Sequence, residues 1–513
     1  MKIERTRNAQ RNIVAGVGFK LVAMFGPFVM RTVLLYTMGV QYMGLNSLFN
    51  SILNFLSLSE LGIGSAMVYA MYKPIARDDH EAICALLNLY RKLYRIIGVV
   101  ILTLGLALLP FLPYLVHGDV PADINLYSLY VMYLSNTVLS YFLYGYKQSL
   151  LLAFQRNDII STRALVLRIF MYSLQVAVLI LTKNYYLYVV LFIAYTAATN
   201  LANSIIVDKM FPQYACRGLV PQEELQKIKT NVLSLIGGKL SAIMLNFSNN
   251  LIISIFLGLA MVAQFDNYYY VVNALVGFFT VAYQAMTAGL GNSIQLETVE
   301  KNHKDFKVLS FLNFWLVAWC AICVMCIIQP FIILWVGKDL MFGDIMAVLF
   351  ALYFYIMQSE RVVLTYKDSA GLWKQDWQRP YVVITVNFVL NILGIKLLGV
   401  TGVVLSTVIT LCISIPWSAH TLHKNLFGIS MAGYMKQYAL WFIKTVVTGA
   451  VTWFLCGLVG GSVLVQFLVR LPICAVVPPL LLYLFNFRNP DRTLAAAKLK
   501  TVVLKIVKRK AKK

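Results

Sequence analysis

Apolar runs of 18 to 30 positions alternate with short polar breaks along the chain, and that alternation predicts fourteen membrane-crossing helices. They cover residues 13–38, 42–70, 96–117, 126–153, 159–182, 185–207, 231–257, 262–291, 308–329, 343–366, 380–397, 400–422, 437–460 and 463–486. Each is near the roughly 20 apolar residues that a bilayer demands. The alternating ten-residue segments of a membrane β-barrel do not recur. The expected fold is therefore an all-α polytopic membrane protein.

The pattern also repeats. Asn12–Gly39 and Asn231–Gly258 align without gaps at an offset of 219 positions, which pairs Gly18 with Gly237, Lys20 with Lys239, Phe28 with Phe247 and Gly39 with Gly258. Asn54 then falls on Asn273 at the same offset. Internal repeats of this kind are a signature of secondary transporters. The sequence thus predicts two pseudo-symmetric six-helix lobes, 1–207 and 231–422, with a polar cytoplasmic linker at 208–230. Two further helices follow in 423–486, then a basic cytoplasmic tail at 487–513.

Composition agrees: 60% of residues are hydrophobic, 13% are charged and the mean hydropathy is +0.74, against about 25% charged in a soluble domain. The first span is too long for a cleaved signal peptide, and no small-residue cleavage site follows it. The net charge of +23 invites a nucleic-acid reading, but its placement argues for anionic lipid instead. With the N-terminus in the cytoplasm, 34 lysines and arginines fall in inner segments, three in outer loops and seven within spans. That bias puts both termini inside. Residues 78–95 carry an apolar stripe, Ile83, Leu86, Leu87, Tyr90 and Tyr94, beside Arg91, Lys92 and Arg95. The stripe suits an amphipathic helix on the inner leaflet or an ordinary solvated loop helix. Leu499, Val502, Val503 and Ile506 form a similar stripe in the lysine-rich tail, read as an interfacial helix.

Charges inside the spans carry the candidate chemistry, because each costs about 2.5–3.5 kcal/mol at mid-membrane. At about 1.5 Å per helical residue, Lys20, Lys147, Arg168 and Lys239 share a layer about 9–14 Å above the inner membrane face. Together with Arg31 they form an expected cationic, phosphate-binding set. Each single member also has a plainer explanation, a long side chain reaching to the interface, weightiest for Lys147. Glu60, Asp266 and Glu360, with Arg361 beside it, are the expected coupling or charge-pairing residues. Gly26-Pro27 lies between Lys20 and Arg31. Proline removes a helical hydrogen bond, so the pair marks an expected hinge or a static kink. Asn246, Asn249 and Asn250 replace the proline and arginine in the second repeat and suit a polar lining or interhelical hydrogen bonds.

Other chemistry has little support. Eight cysteines, mostly in apolar spans, argue against a disulfide framework. Cys320-x2-Cys323-x2-Cys326 has metal-like spacing but drifts around its helix and has no fourth ligand nearby. His420-x2-His423 lacks a carboxylate partner. Phosphate-loop, serine-hydrolase and zinc-protease signatures are missing. The expectation is a non-enzyme without cofactor or metal.

Three stretches, YMGLNSLFNSILNFLSLSELGIGSAMVYAMYKPIARDDHE (42–81), QFDNYYYVVNALVGFFTVAYQAMTAGLGNSI (264–294) and DSAGLWKQDWQRPYVVITVNFVLNILGIKLLGVTGVVLSTVI (368–409), resemble the polysaccharide flippases of the multidrug/oligosaccharidyl-lipid/polysaccharide (MOP) exporter superfamily. The O-antigen and capsule branch is the nearer one. The resemblance implies ion-coupled alternating access that moves a polyprenyl-diphosphate-linked oligosaccharide from the cytoplasmic to the outer leaflet of a bacterial cytoplasmic membrane. Its implied partners are that glycan, membrane lipids, and a polysaccharide polymerase with other assembly proteins, with no nucleic acid. Two other readings stay open. One is a cation-coupled multidrug exporter, disfavoured by the excess of lysine and arginine. The other is a membrane polysaccharide polymerase or transferase, disfavoured by short outer loops.

Overall fold

A computed structural model describes residues 5–60, 62–117, 120–489 and 491–496, and the tail beyond residue 496, with its expected interfacial helix, lies outside them. Helices are the only regular elements among the described residues, and the chain divides by packing into two units, 1–263 and 264–513.

The first unit contains α1 (Arg5–Thr37), α2 (Val40–Leu56), α3 (Ile63–Ala76), α4 (His80–Ala107), α5 (Leu112–Leu115), α6 (Leu126–Phe142), α7 (Gln148–Ala153), α8 (Asn157–Thr182), α9 (Tyr185–Met210) and α10 (Gln222–Leu257). The boundary falls within the first turns of α11 (Leu259–Leu296). The second unit continues with α12 (Val299–Val336), α13 (Asp344–Ser359), α14 (Arg361–Ser369), α15 (Gln378–Leu398), α16 (Val400–Leu422), α17 (Ala432–Gly457) and α18 (Val463–Phe485). Side-chain oxygens start several helices by accepting orphan backbone N–H groups. Asp79 accepts from Ala82, Asn125 from Ser128 and Asn184 from Leu187.

Among the described residues, eleven helices are long and apolar enough to cross a membrane by length and composition. The three remaining expected spans are broken or short. Residues 42–70 form α2 and α3 around a 3-10 turn, Ser57–Glu60. Residues 126–153 form α6 and α7 around the turn Gly145–Lys147. In 231–257 the described apolar part is Ile243–Leu257.

α2 is the hub of the first unit. Its Met43, Leu45, Leu48, Phe49 and Ile52 are fully or almost fully buried, and it packs on α1, α4, α6 and α10. Gly44 permits a close backbone approach, since a Cβ there would lie 2.2 Å from the carbonyl oxygen of Leu259. α10 was expected to open the second lobe, yet it packs on α2, α3 and α5 of the first unit. Ser254 Oγ donates to the Leu115 carbonyl at 2.6 Å and Asn250 Nδ2 to Ser51 Oγ at 2.8 Å. The packing boundary thus lies one helix beyond the repeat boundary. The repeat itself has a backbone counterpart: Gly39 and Gly258 both turn the chain with positive φ, at φ 107°, ψ 176° and φ 86°, ψ 176°, a region glycine enters without a Cβ penalty.

The stripe at 83–94 belongs to neither expected setting. Ile83, Leu86, Leu87, Tyr90 and Tyr94 are buried in the core of the first unit, and α4 carries them without a break into span three. An apolar stripe follows the periodicity of burial, whatever covers it, so lipid and protein give one pattern.

In the second unit α12 packs against α13, α17 and α18, while α15 and α16 lie together. Gly394 and Gly402 set that last contact: a Cβ on Gly402 would sit 2.0 Å from the Gly394 carbonyl oxygen. Small residues at a crossing let two backbones meet where lipid supplies no hydrophobic drive.

Candidate functional site: a carboxylate between broken helices

Helix breaks at membrane depth free backbone groups that lipid cannot satisfy, so they occur where protein or a cavity receives them. Both breaks of the first unit border one cavity. α2 stops at Leu56, turns through Ser57–Glu60, and restarts as α3 after Gly62 at φ 83°. α6 stops at Phe142; Tyr144 takes φ 57°, and Gly145 sits where a Cβ would lie 2.5 Å from the Ser140 carbonyl oxygen. Between them lies a cavity of about 600 Å³ whose wall includes Glu60, Tyr69, Tyr72, Tyr94, Gly145 and Gln148.

The turn at 57–60 aims the Glu60 carboxylate at α4 and α6. Tyr94 donates its hydroxyl to Oε1 at 2.6 Å and Tyr141 to Oε2 at 2.7 Å. Tyr90 donates to Tyr94 at 3.2 Å, extending the chain of hydroxyls. The carboxylate is held in a fixed place without a counter-cation among these contacts, next to a space that admits one. The sequence marks Glu60 through its membrane depth. It does not mark Tyr94 and Tyr141, whose spacing from Glu60 carries no periodic signal; the paired helix breaks, with Gly62 and Gly145, were the available clue.

The expected cations are placed as follows. Lys20 is exposed on α1. Arg168 of α8 stacks on the ring of Phe19 at 5.1 Å and on Tyr195 at 5.4 Å, and its Nε donates to the Tyr195 hydroxyl at 3.3 Å. Arg168 is thus brought beside the residue that precedes Lys20. Arg31 is buried, donating to Ser47 Oγ and to the Ala263 carbonyl, each at 3.2 Å. Those bonds commit it to packing between α1, α2 and the start of α11. Lys147 pairs with Asp208 at 2.6 Å, so an acid from the end of α9 answers the charge expected to await an anion. The side chains of Lys239 and Asn246 lie outside the described residues.

α1 runs without interruption through Gly26 and Pro27. A Cβ on Gly26 would lie 2.2 Å from Cε2 of Tyr172. Gly26 therefore admits the Tyr172 ring between α1 and α8.

In the second unit, Asp266 is buried on α11. Glu360 is buried where α13 meets α14, and it takes its cation from Arg379, at 3.5 Å, rather than from its neighbour Arg361. Arg379 Nη1 also donates to Ser414 Oγ at 2.7 Å, which donates to Glu360 Oε1 at 2.9 Å. Arg379 Nε reaches Asp376 Oδ2 at 2.8 Å, and Lys367 pairs with the same carboxylate. Two acids and two bases thus balance across α14, α15 and the turn between them. Such buried pairs pay desolvation and need their extra hydrogen bonds to hold. Lys367, Asp376 and Arg379 lie between the expected spans 343–366 and 380–397 and drew no notice in the sequence, because local composition does not reveal burial of a turn.

No protein-family profile and no curated protein matches the chain by sequence. Solved structures match it in shape. The lipid II flippase MurJ, in an inward closed conformation, aligns with a TM-score of 0.63 at 13% identity, over 93% of this chain and 99% of its own. An inward-facing multidrug resistance MATE family transporter of the MOP superfamily aligns at 0.57 and 16% identity, over 79% of this chain and 97% of its own. A eukaryotic MATE transporter aligns at 0.55 and 11% identity, over 84% of this chain and 98% of its own. The chain therefore has the fold of the MOP superfamily exporters.

Proposed function

We propose that this exporter fold serves a flippase, which moves a polyprenyl-diphosphate-linked oligosaccharide from the cytoplasmic to the outer leaflet and draws on an ion gradient. The observation that carries the reading is the Glu60 carboxylate held by two tyrosine hydroxyls in a cavity between two interrupted helices. Interrupted helices with a charged group between them are how secondary transporters seat coupling ions at membrane depth. The cavity, about 600 Å³, suits an ion with water and is small for a lipid-linked glycan. Glu60 is accordingly the coupling group and not the cargo site. Cargo recognition falls to intramembrane cations: Lys20 and Arg168 in the first unit, with Lys239 at the matching repeat position. A lysine and an arginine meet a diphosphate as a point charge and a planar fork. The resemblance at 42–81, 264–294 and 368–409 supports the O-antigen or capsule class of cargo, and it supports a bacterial cytoplasmic membrane with both termini inside.

One observation favours a second reading, export of organic cations. A carboxylate among Tyr69, Tyr72, Tyr90 and Tyr94 is also what a cationic guest would select. Both readings are tested with the purified protein in liposomes. With polyprenyl-diphosphate glycan in the membrane and a proton or sodium gradient imposed, the flippase reading expects gradient-dependent appearance of glycan on the far leaflet. Glycan that stays put while a cationic dye is exported would replace it with the second reading.

A further inference from the structure

Apart from the Glu60 cavity, the second unit gathers nucleophilic side chains that transport does not use. Cys326 on α12, Cys456 on α17 and Cys474 on α18 are all buried, and their sulfurs lie within 4.8 Å of one another. All three are free thiols. They come from three helices that contact one another pairwise, so the convergence is a property of the packed unit. A fourth thiol borders the group, since Cys323 Sγ lies 3.6 Å from the Cys474 carbonyl oxygen.

The surroundings select among metals. Ile322, Met325, Trp453 and Ile473 close the cluster with apolar groups, and among the described residues no carboxylate or imidazole joins the three sulfurs. Zinc requires four ligands in a structural site, and Cys323 stays outside the set of sulfurs that lie within 4.8 Å of one another. Soft thiolates without oxygen or nitrogen partners select copper(I). With metal–sulfur bonds of about 2.3 Å, a planar three-sulfur site needs sulfurs about 4 Å apart, inside the 4.8 Å that bounds their separations here. The charge also closes. Arg470 of α18 donates Nη1 to the Cys326 carbonyl at 3.2 Å, and its buried Nε has no hydrogen-bond partner. Two ionised thiols, one copper(I) and one guanidinium sum to zero, which a low-dielectric site requires.

We propose that Cys326, Cys456 and Cys474 form a three-coordinate copper(I) site that ties α17 and α18 to α12. Binding forms three sulfur–copper bonds. Two thiols release their protons to solvent, the third binds through its neutral sulfur, and nothing is oxidised or reduced.

The test uses the full chain in lipid nanodiscs, reduced and without oxygen, and titrated with copper(I) against a chromophoric copper(I) chelator. The expected result is one copper retained per protein. X-ray absorption at the copper edge on the unmodified protein should count three sulfurs at a single distance. Cys326→Ser and Cys474→Ser should each lose at least about tenfold in affinity, since losing even an outer-shell partner of a ligand costs about 10–100-fold. Cys412→Ser, on the exposed face of α16, should bind as the parent does. Copper retained equally by Cys326→Ser and Cys474→Ser, or an absorption spectrum with nitrogen or oxygen neighbours, would overturn the site. So would a parent protein that holds no copper. The spectroscopic count needs no variant, so a misfolded mutant cannot shield the proposal.

Discussion

At the scale of single residues, charges near one depth divide into those that the fold has already answered and those that it leaves available. Glu60 receives two hydroxyl donors and no cation among them. Glu60→Gln keeps the shape, removes the charge, and should cut gradient-driven transport by about tenfold or more, since one charge-assisted hydrogen bond is worth about 1.5–3 kcal/mol. The same lost bond should lower the melting temperature by a few degrees. Transport equal to the parent's in liposomes would remove Glu60 from the coupling role. Lys147 gives the opposite expectation. Its partner Asp208 is 60% exposed, so the pair contributes about 0–1 kcal/mol. Lys147→Ala should transport normally and unfold within a degree or two of the parent in a thermal ramp; a tenfold loss of transport would return Lys147 to the cargo set. The sequence singled out both Glu60 and Lys147, with a plainer explanation open for Lys147, because depth along a helix is readable and partners are not. Asp208, Tyr94 and Tyr141 answer these charges from 34 to 81 positions away, a distance over which periodicity carries no information.

At the scale of helices, glycines decide where elements stop and how closely they meet. Eleven of the fourteen expected spans were legible as long apolar helices among the described residues, because a span needs a fixed length of apolar chain. The interruptions inside 42–70 and 126–153 were not, since hydropathy runs through them. Their marks are Gly62, at φ 83°, and Gly145, pressed on the Ser140 carbonyl. Gly62→Ala should cost about 1–2 kcal/mol, the price of a left-handed backbone for an L-residue. Gly402 works through contact. With the Gly394 carbonyl 2.0 Å from where its Cβ would stand, Gly402→Val must part α15 from α16. Overpacking of this sort costs about 1–3 kcal/mol, and it should appear as a lowered melting temperature in detergent. Gly433 has nothing within 4 Å of its Cβ position, so Gly433→Ala is the matched control and should melt as the parent does. Equal melting of Gly402→Val and Gly433→Ala would contradict the packed α15–α16 pair.

At the scale of the whole chain, the proposed direction of transport depends on sidedness. Cargo built in the cytoplasm must load from the inner leaflet, so a flippase of this kind needs its cationic layer nearer that face. The sequence places Lys20 and Arg168 in the inner half only if the lysine- and arginine-rich segments face the cytoplasm. Lys338 and Lys374 test that orientation from opposite sides, and both are exposed in the fold. Lys338 lies in the turn between α12 and α13, an expected outer loop; Lys374 lies in the turn before α15, an expected inner one. Each is replaced by cysteine in a Cys412→Ser background, which removes an exposed native thiol. In intact cells a membrane-impermeant maleimide should label Lys338→Cys and spare Lys374→Cys, and permeabilised cells should label both. The reverse pattern would put the cationic layer in the outer half. A diphosphate made inside could not then reach it before crossing, and the direction of transport would have to be inverted along with the topology.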